Sequence, residues 1–176
     1  TALVTPMNTD GSVDYASLDK LVEWQIKEGV SALVACGTTG EASTLTDEEH
    51  RQVIARVVEK ADKRVPVIAG TGSNDLDYAL SLTKYACDAG ADAVLTVTPY
   101  YNKATQAGLI KMYNILADAS KAPVISKLAD ASSLLDSNIL KLLDKDIFAA
   151  DLYEQVCANK SGTVSISDYS QNIVLI

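Results

Sequence analysis

Val65-Pro-Val-Ile-Ala-Gly-Thr-Gly-Ser-Asn74 is the stretch that decides the fold. Its first half, Val65-Pro-Val-Ile-Ala69, is apolar without alternation, as a strand covered on both faces of a parallel sheet reads. Its second half turns at once to glycine, hydroxyls and an amide, as a strand end opening into a loop does. Four further runs have the same character: Ala2-Leu-Val-Thr5, Ser31-Ala-Leu-Val-Ala-Cys36, Ala93-Val-Leu-Thr-Val97 and Pro123-Val-Ile125. They recur about every 30 residues, the length of one βα unit.

Helical spacing fills the intervals. Leu18, Leu21, Val22 and Gln25 share one face of a helix near 14–28. Thr46 with Glu49 forms a capping box ahead of Val53, Ile54, Val57 and Val58. Leu76, Ala79, Leu80 and Thr83 predict a third helix stopped by Gly90, and Leu109, Met112, Tyr113 and Leu116 a fourth. Leu135, Ile139, Leu142 and Leu143 predict a fifth. Strand and helix in alternation specify an α/β fold with a parallel sheet of βα units and right-handed crossovers.

The chain has 176 residues, 48% of them apolar, which is globular composition and suits one domain. Fifteen basic against 23 acidic residues give a net charge of −8, which repels phosphate backbones and argues against a nucleic-acid partner. No apolar run approaches the ~18 residues of a membrane span, and no basic segment leads into an apolar one as a secretion signal does. Cys36, Cys87 and Cys157 are odd in number and irregularly spaced, so neither a disulfide framework nor a zinc site is expected. Inert buried thiols fit a reducing compartment, and a cytoplasmic location is expected.

Character changes near residue 122. Eight of the nine glycines precede it and no proline follows Pro123. Residues 1–125 read as regular βα units, and 126–176 as a divergent or replaced C-terminal segment of the same domain. Within the latter, 147–150 and 163–166 are candidate strands. The ending Ile173-Val-Leu-Ile176 is apolar and needs a partner surface, either a second chain or the edge of its own sheet.

Parallel α/β folds place their sites at the carboxyl ends of the strands. Four endings follow there: Thr5-Pro6, Gly37-Thr-Thr-Gly-Glu41, Gly70-Thr-Gly-Ser-Asn74 and Thr98-Pro-Tyr-Tyr-Asn-Lys103. Backbone N–H groups beside Thr hydroxyls suit a small anion such as a carboxylate, and Tyr hydroxyls suit proton relay. Each has a plainer reading. The Thr pair also fits a capped turn, and Tyr100 and Tyr101 also fit packing or interface aromatics. Gly70 and Gly72 make only G-x-G, a weak dinucleotide signal. His50, the single histidine, reads as a helix-surface residue in the first turn of the second helix.

Ala2-Leu-Val-Thr-Pro6, Gly37-Thr-Thr-Gly-Glu41, Val67-Ile-Ala-Gly-Thr-Gly-Ser-Asn74 and Val97-Thr-Pro-Tyr-Tyr-Asn-Lys103 resemble, in order and spacing, the dihydrodipicolinate synthase family. That family lies among the pyruvate-dependent aldolases and lyases that include N-acetylneuraminate lyase. The resemblance covers residues 1–125. It implies a (β/α)8 barrel with an extra helical segment and a cofactor-free class I reaction of lysine and diaminopimelate biosynthesis. In that reaction a lysine forms a Schiff base with pyruvate, which condenses with aspartate semialdehyde. Carried onto this sequence, Thr39 holds the pyruvate carboxylate beside Thr38, in the turn that Gly37 opens. Thr38 and Tyr101 belong to a proton relay, Tyr101 reaches a neighbouring subunit's site, and Tyr100 shares that interface.

After Ile125 the resemblance breaks. The family continues into a Tyr-Asn-Val-Pro stretch, which brings a third relay tyrosine, and then a substrate-binding arginine. Ser126-Lys-Leu-Ala-Asp-Ala-Ser132 stands here instead. Lys127 has two open readings, a stand-in for the Schiff-base lysine or an ordinary strand-end lysine. A closed barrel needs about 250 residues, about 200 at the least, so eight units do not fit. Five to seven units are expected, as a partial TIM-type barrel or an open sheet. The expectation is a truncated, recombined or laboratory-selected derivative of such a synthase without turnover. The other reading is a folded, non-catalytic scaffold. Unpaired strand edges predict a homodimer, in one form domain-swapped, with the region after residue 125 at its interface.

Overall fold

The first four predicted helices are all present, and each starts on a capping side chain. In the computed structural model, which describes residues 1–102, 104–127 and 173–175, α1 spans Tyr15–Lys27. Asp14 caps it, accepting from the Ser17 N–H at 3.0 Å, and Leu18 and Val22 are buried. Helix α2 (Asp47–Ala61) begins on the complete Thr46/Glu49 capping box. Its buried face is His50, Val53, Ile54, Val57 and Ala61. Helix α3 (Leu76–Ala89) is capped by Asp75 and ends on Gly90 in the left-handed region. Helix α4 (Gln106–Ala119) is capped by Thr105 and buries Leu109, Tyr113 and Leu116.

The helices alternate with β1 (Leu33–Ala35), β2 (Val67–Gly70), β3 (Ala93–Val97) and β4 (Val124–Lys127), with β5 (Ile173–Leu175) after them. The sheet order is β1-β2-β3-β4-β5 and every pairing is parallel. Sequence order and spatial order coincide, as consecutive βα units require. The first apolar run joins the same edge more loosely. Ala2 forms a single parallel bridge with Val34, and the Leu3 N–H donates to the Val34 carbonyl at 2.9 Å. The expected strand there is thus a bridge, while the expected parallel order holds.

The core is one cluster between sheet and helices. It includes Leu18 and Val22 of α1, Val53, Ile54 and Val57 of α2, Leu33, Val67, Val94 and Val124 from the strands, and Leu116 of α4. Outside it, Arg56 of α2 on Asp19 of α1 (2.6 Å), and Arg64 in the loop after α2 on Glu23 of α1 (2.7 Å), tie the two helices. The Arg64 guanidinium holds the Glu23 carboxyl down at about 2.

The backbone of 173–175 joins the sheet at β4. In β5, Ile173, Val174 and Leu175 pair in register with Val124, Ile125 and Ser126. The fifth helix, the candidate strands at 147–150 and 163–166, and Cys157 lie outside the described residues. No helix among the described residues is long and apolar enough to cross a membrane.

Candidate functional site

Because all strands run parallel, their carboxyl ends gather at one end of the sheet. Thr38 and Thr39 follow β1, Thr71 to Asn74 follow β2, Tyr100 and Tyr101 follow β3, and Lys127 is the last residue of β4. The backbone of Lys127 is in register with Val97. The topology therefore brings Gly37, Thr38, Thr39, Tyr100, Tyr101 and Lys127 to a common rim.

The β1 ending is a tight turn. Gly37 is extended, Thr38–Gly40 form one turn of 3-10 helix, and Glu41 follows in the left-handed region at φ 55°. The Gly40 N–H donates to the Gly37 carbonyl at 3.0 Å and the Glu41 N–H to the Thr38 carbonyl at 3.1 Å. Thr38 and Thr39 are exposed, whereas Gly40 is buried. Helix α2 begins only at Asp47, after a second short 3-10 turn over Ala42–Thr44. The left-handed backbone at this site falls to Cys36 (φ 54°) and Glu41, not to glycine. Gly40 is needed for space instead. A Cβ there would lie 3.1 Å from the Leu3 carbonyl oxygen and 3.2 Å from Thr5 Oγ1. The buried Thr5 hydroxyl donates to the Gly40 carbonyl at 2.7 Å.

The β2 ending is pressed against both neighbours. A Cβ at Gly70 would fall on the Cys36 carbonyl oxygen, and one at Gly72 would lie 2.6 Å from the Val97 nitrogen. Asn74 then bridges to the β3 ending. Its Nδ2 donates to the Tyr100 carbonyl at 3.0 Å and its Oδ1 accepts from the Tyr100 N–H at 2.9 Å. Tyr101 follows in the left-handed region at φ 68° and is fully exposed, while Tyr100 is about half exposed. A bulky residue held there stores strain of order 1 kcal/mol or more, which is common at functional positions. Packing into the core, one of the two plain readings of Tyr101, is excluded by that exposure.

His50 overturns its surface reading. It is buried, 3% exposed, and its Nε2 lies 2.8 Å from the Gly70 carbonyl. A carbonyl can only accept, so Nε2 carries the proton. The signal was present in the sequence: His50 stands three, four and seven residues before Val53, Ile54 and Val57, on the apolar face of α2. The Cys36 thiol donates to the His50 carbonyl at 3.7 Å, and burial pushes that thiol up to about 12, as an inert thiol requires.

Burial lowers the His50 imidazole below its ordinary 6.5, with the Gly70 bond and Asp47 opposing and Arg51 assisting. Below about pH 6.5 the unfolded chain therefore binds a proton that the folded chain resists, and stability rises with pH. The contribution of neutral His50 is present above its unfolded value and is lost as pH falls through its folded one. Urea midpoints measured from about pH 7 down to about pH 5 should fall more steeply for the native chain than for His50→Gln. Parallel slopes would count against this.

The bonds of Thr5 to Gly40, His50 to Gly70 and Asn74 to Tyr100 carry no local signal in the sequence. Among the described residues, no group of three or more His, Cys, Asp or Glu side chains is placed to hold a metal ion.

Comparison with known proteins gives a consistent set of similarities. Residues 1–133 match the family described as the dihydrodipicolinate synthetase family. The 4-hydroxy-tetrahydrodipicolinate synthase of Acetivibrio thermocellus is 56% identical over 124 residues, covering 70% of this chain and 42% of that protein. That of Bartonella bacilliformis is 42% identical over 173 residues, covering 98% of this chain and 55% of that protein. The chain thus spans about half the length of these relatives. Among solved structures, dihydrodipicolinate synthase from Acinetobacter baumannii, in complex with pyruvate, matches with a TM-score of 0.70 and 57% identity. That match covers 72% of this chain and 43% of the other.

Proposed function

The chain belongs to the dihydrodipicolinate synthetase family, and on that premise we propose that its strand-end rim binds pyruvate or a similar small carboxylate. The observation that carries this is the exposed Thr38–Thr39 pair, seated in a tight turn at the carboxyl end of β1 on a buried Gly40. Thr39 is assigned to the carboxylate, with Gly37 opening the turn. Thr38 and Tyr101 are assigned to proton relay. The parent reaction is Schiff-base condensation of pyruvate with aspartate semialdehyde, in the reducing cytoplasm, and its amine would have to be held neutral to attack.

Binding without synthase turnover is the reading for this chain. What supports this is that no Tyr-Asn-Val-Pro stretch follows Ile125 and no arginine follows Arg64, since groups that act as a unit fail together. A second reading, in which Lys127 forms the Schiff base, is favoured by its backbone position at the end of β4 on the same rim. One experiment separates the two. The protein is incubated with pyruvate, reduced with borohydride and weighed, while Thr38 and Thr39 amide signals are followed by NMR. The proposal expects shifts at both amides, no fixed adduct and no turnover in a coupled assay. An adduct lost in Lys127→Ala would establish the second reading, and amides indifferent to pyruvate would contradict both.

We further propose a homodimer, with Tyr100 and Tyr101 at its interface. The support is that a large aromatic, Tyr101, stands fully exposed on a strained backbone. Sedimentation equilibrium should show a dimer at high micromolar concentration that Tyr101→Ala weakens; a monomer would contradict the proposal. Domain exchange through β5 is a special case, tested by removing the residues after 160.

A further inference from the structure

We infer that Thr5 is a positioning residue for the carboxylate turn, acting through the Gly40 carbonyl; the inference rests on the assignment of Thr38 and Thr39 proposed above. The backbone pairing between the first run and β1 is brief. The Val34 N–H donates to the Thr1 carbonyl at 2.8 Å and the Leu3 N–H to the Val34 carbonyl at 2.9 Å. Beyond Leu3, the link from this run to the β1 ending among the described hydrogen bonds is a side chain. It is Thr5 Oγ1, donating to the Gly40 carbonyl across 35 residues of sequence at 2.7 Å.

Three features make that link specific. Thr5 is buried at 6% exposure, so water is a poor substitute for its hydroxyl. Gly40 is pressed onto residues 3–5, where no Cβ has room without displacing the Leu3 carbonyl or Thr5 itself. The Gly40 N–H in turn closes the turn on the Gly37 carbonyl, and the next amide, of Glu41, bonds the Thr38 carbonyl. Gly40 is therefore the anchored end of the short turn that presents Thr38 and Thr39. Freeing its carbonyl moves the pair that would hold the carboxylate, although Thr5 itself touches no ligand. Small displacements of a binding group carry large penalties, because orientation is part of the interaction.

Thr5→Val keeps the shape and removes the donor; Thr5→Ser keeps the donor and removes a methyl; Thr5→Ala removes both. Pyruvate is titrated into each, following the Thr38 and Thr39 amides, with thermal midpoints recorded alongside. Thr5→Val should weaken binding about tenfold, the scale of one unsatisfied buried acceptor, and shift the Thr38–Glu41 amides in the free protein. Thr5→Ser should stay within about twofold of the native chain, which a merely structural loss of packing would not predict. If Thr5→Val does not fold, Thr5→Ala should still bind several-fold more weakly than Thr5→Ser. Native-like binding by Thr5→Val, or equal weakening in Ser and Ala, overturns the role of Thr5 alone. A native chain whose Thr38 and Thr39 amides ignore pyruvate overturns the carboxylate assignment and, with it, this role.

Discussion

Gly70→Ala should destabilise the protein by about 3 kcal/mol or more, at or beyond the upper end of ordinary overpacking. The added carbon falls on the Cys36 carbonyl oxygen, with the Gly37 nitrogen 3.1 Å away. Both are backbone, so no side-chain rotamer relieves the clash. Retreat is blocked on each side. Gly70 is held in register with Leu95 of β3, and its carbonyl accepts from buried His50. Cys36 is already in the left-handed region, and its thiol is buried beneath the same helix. Separation of β1 from β2 would be the remaining route, and it would open the rim between the Thr38–Thr39 turn and the Asn74 bridge. Gly37→Ala is the matched control, since a Cβ there makes an ordinary 3.4 Å contact with Val34 and the backbone is extended. It should cost within about 0.5 kcal/mol. Urea denaturation of the two variants checks both, and a Gly70→Ala chain within about 1 kcal/mol of the native one would contradict the close approach.

Ile54→Ala should cost about 2–5 kcal/mol, a large share of the 5–15 kcal/mol that domains typically possess. Ile54 is fully buried on α2, among Val53, Val57 and the strand residues of the single core cluster. The loss combines the transfer free energy of three carbons with an unfilled cavity, because α2 is fixed at its start by the capping box and outside by Arg56 and Lys60. Ile54→Val should cost only about 0.5–1.5 kcal/mol. Equal effects of the two would mean that α2 collapses onto the cavity, against the rigid packing described.

Much of this was legible in the residues because apolar runs and caps carry local physics. Val67–Gly70, Ala93–Val97 and the Thr46/Glu49 box behave as their spacing dictates. The parallel order followed from run length and connection length alone. What was not legible depends on tertiary contact. Whether Ala2-Leu-Val-Thr5 forms a ladder or one bridge is set by how far β1 extends beside it. Left-handed backbone at Cys36, Glu41 and Tyr101 has no marker in the sequence, and Gly40, beside Glu41, serves close approach instead. A titratable ring suggests the surface for His50, whereas the helical period places it on the buried face of α2. Thr5 reads as a polar strand end, yet its bond to Gly40 joins residues that no local pattern connects.

The most direct test of the whole account is a crystal structure of this protein with pyruvate. The account predicts parallel strands in the order β1-β2-β3-β4 and the pyruvate carboxylate against the Thr38–Thr39 turn, with Thr5 still donating to the Gly40 carbonyl. An antiparallel pair among those strands, or pyruvate bound away from that turn, would contradict it.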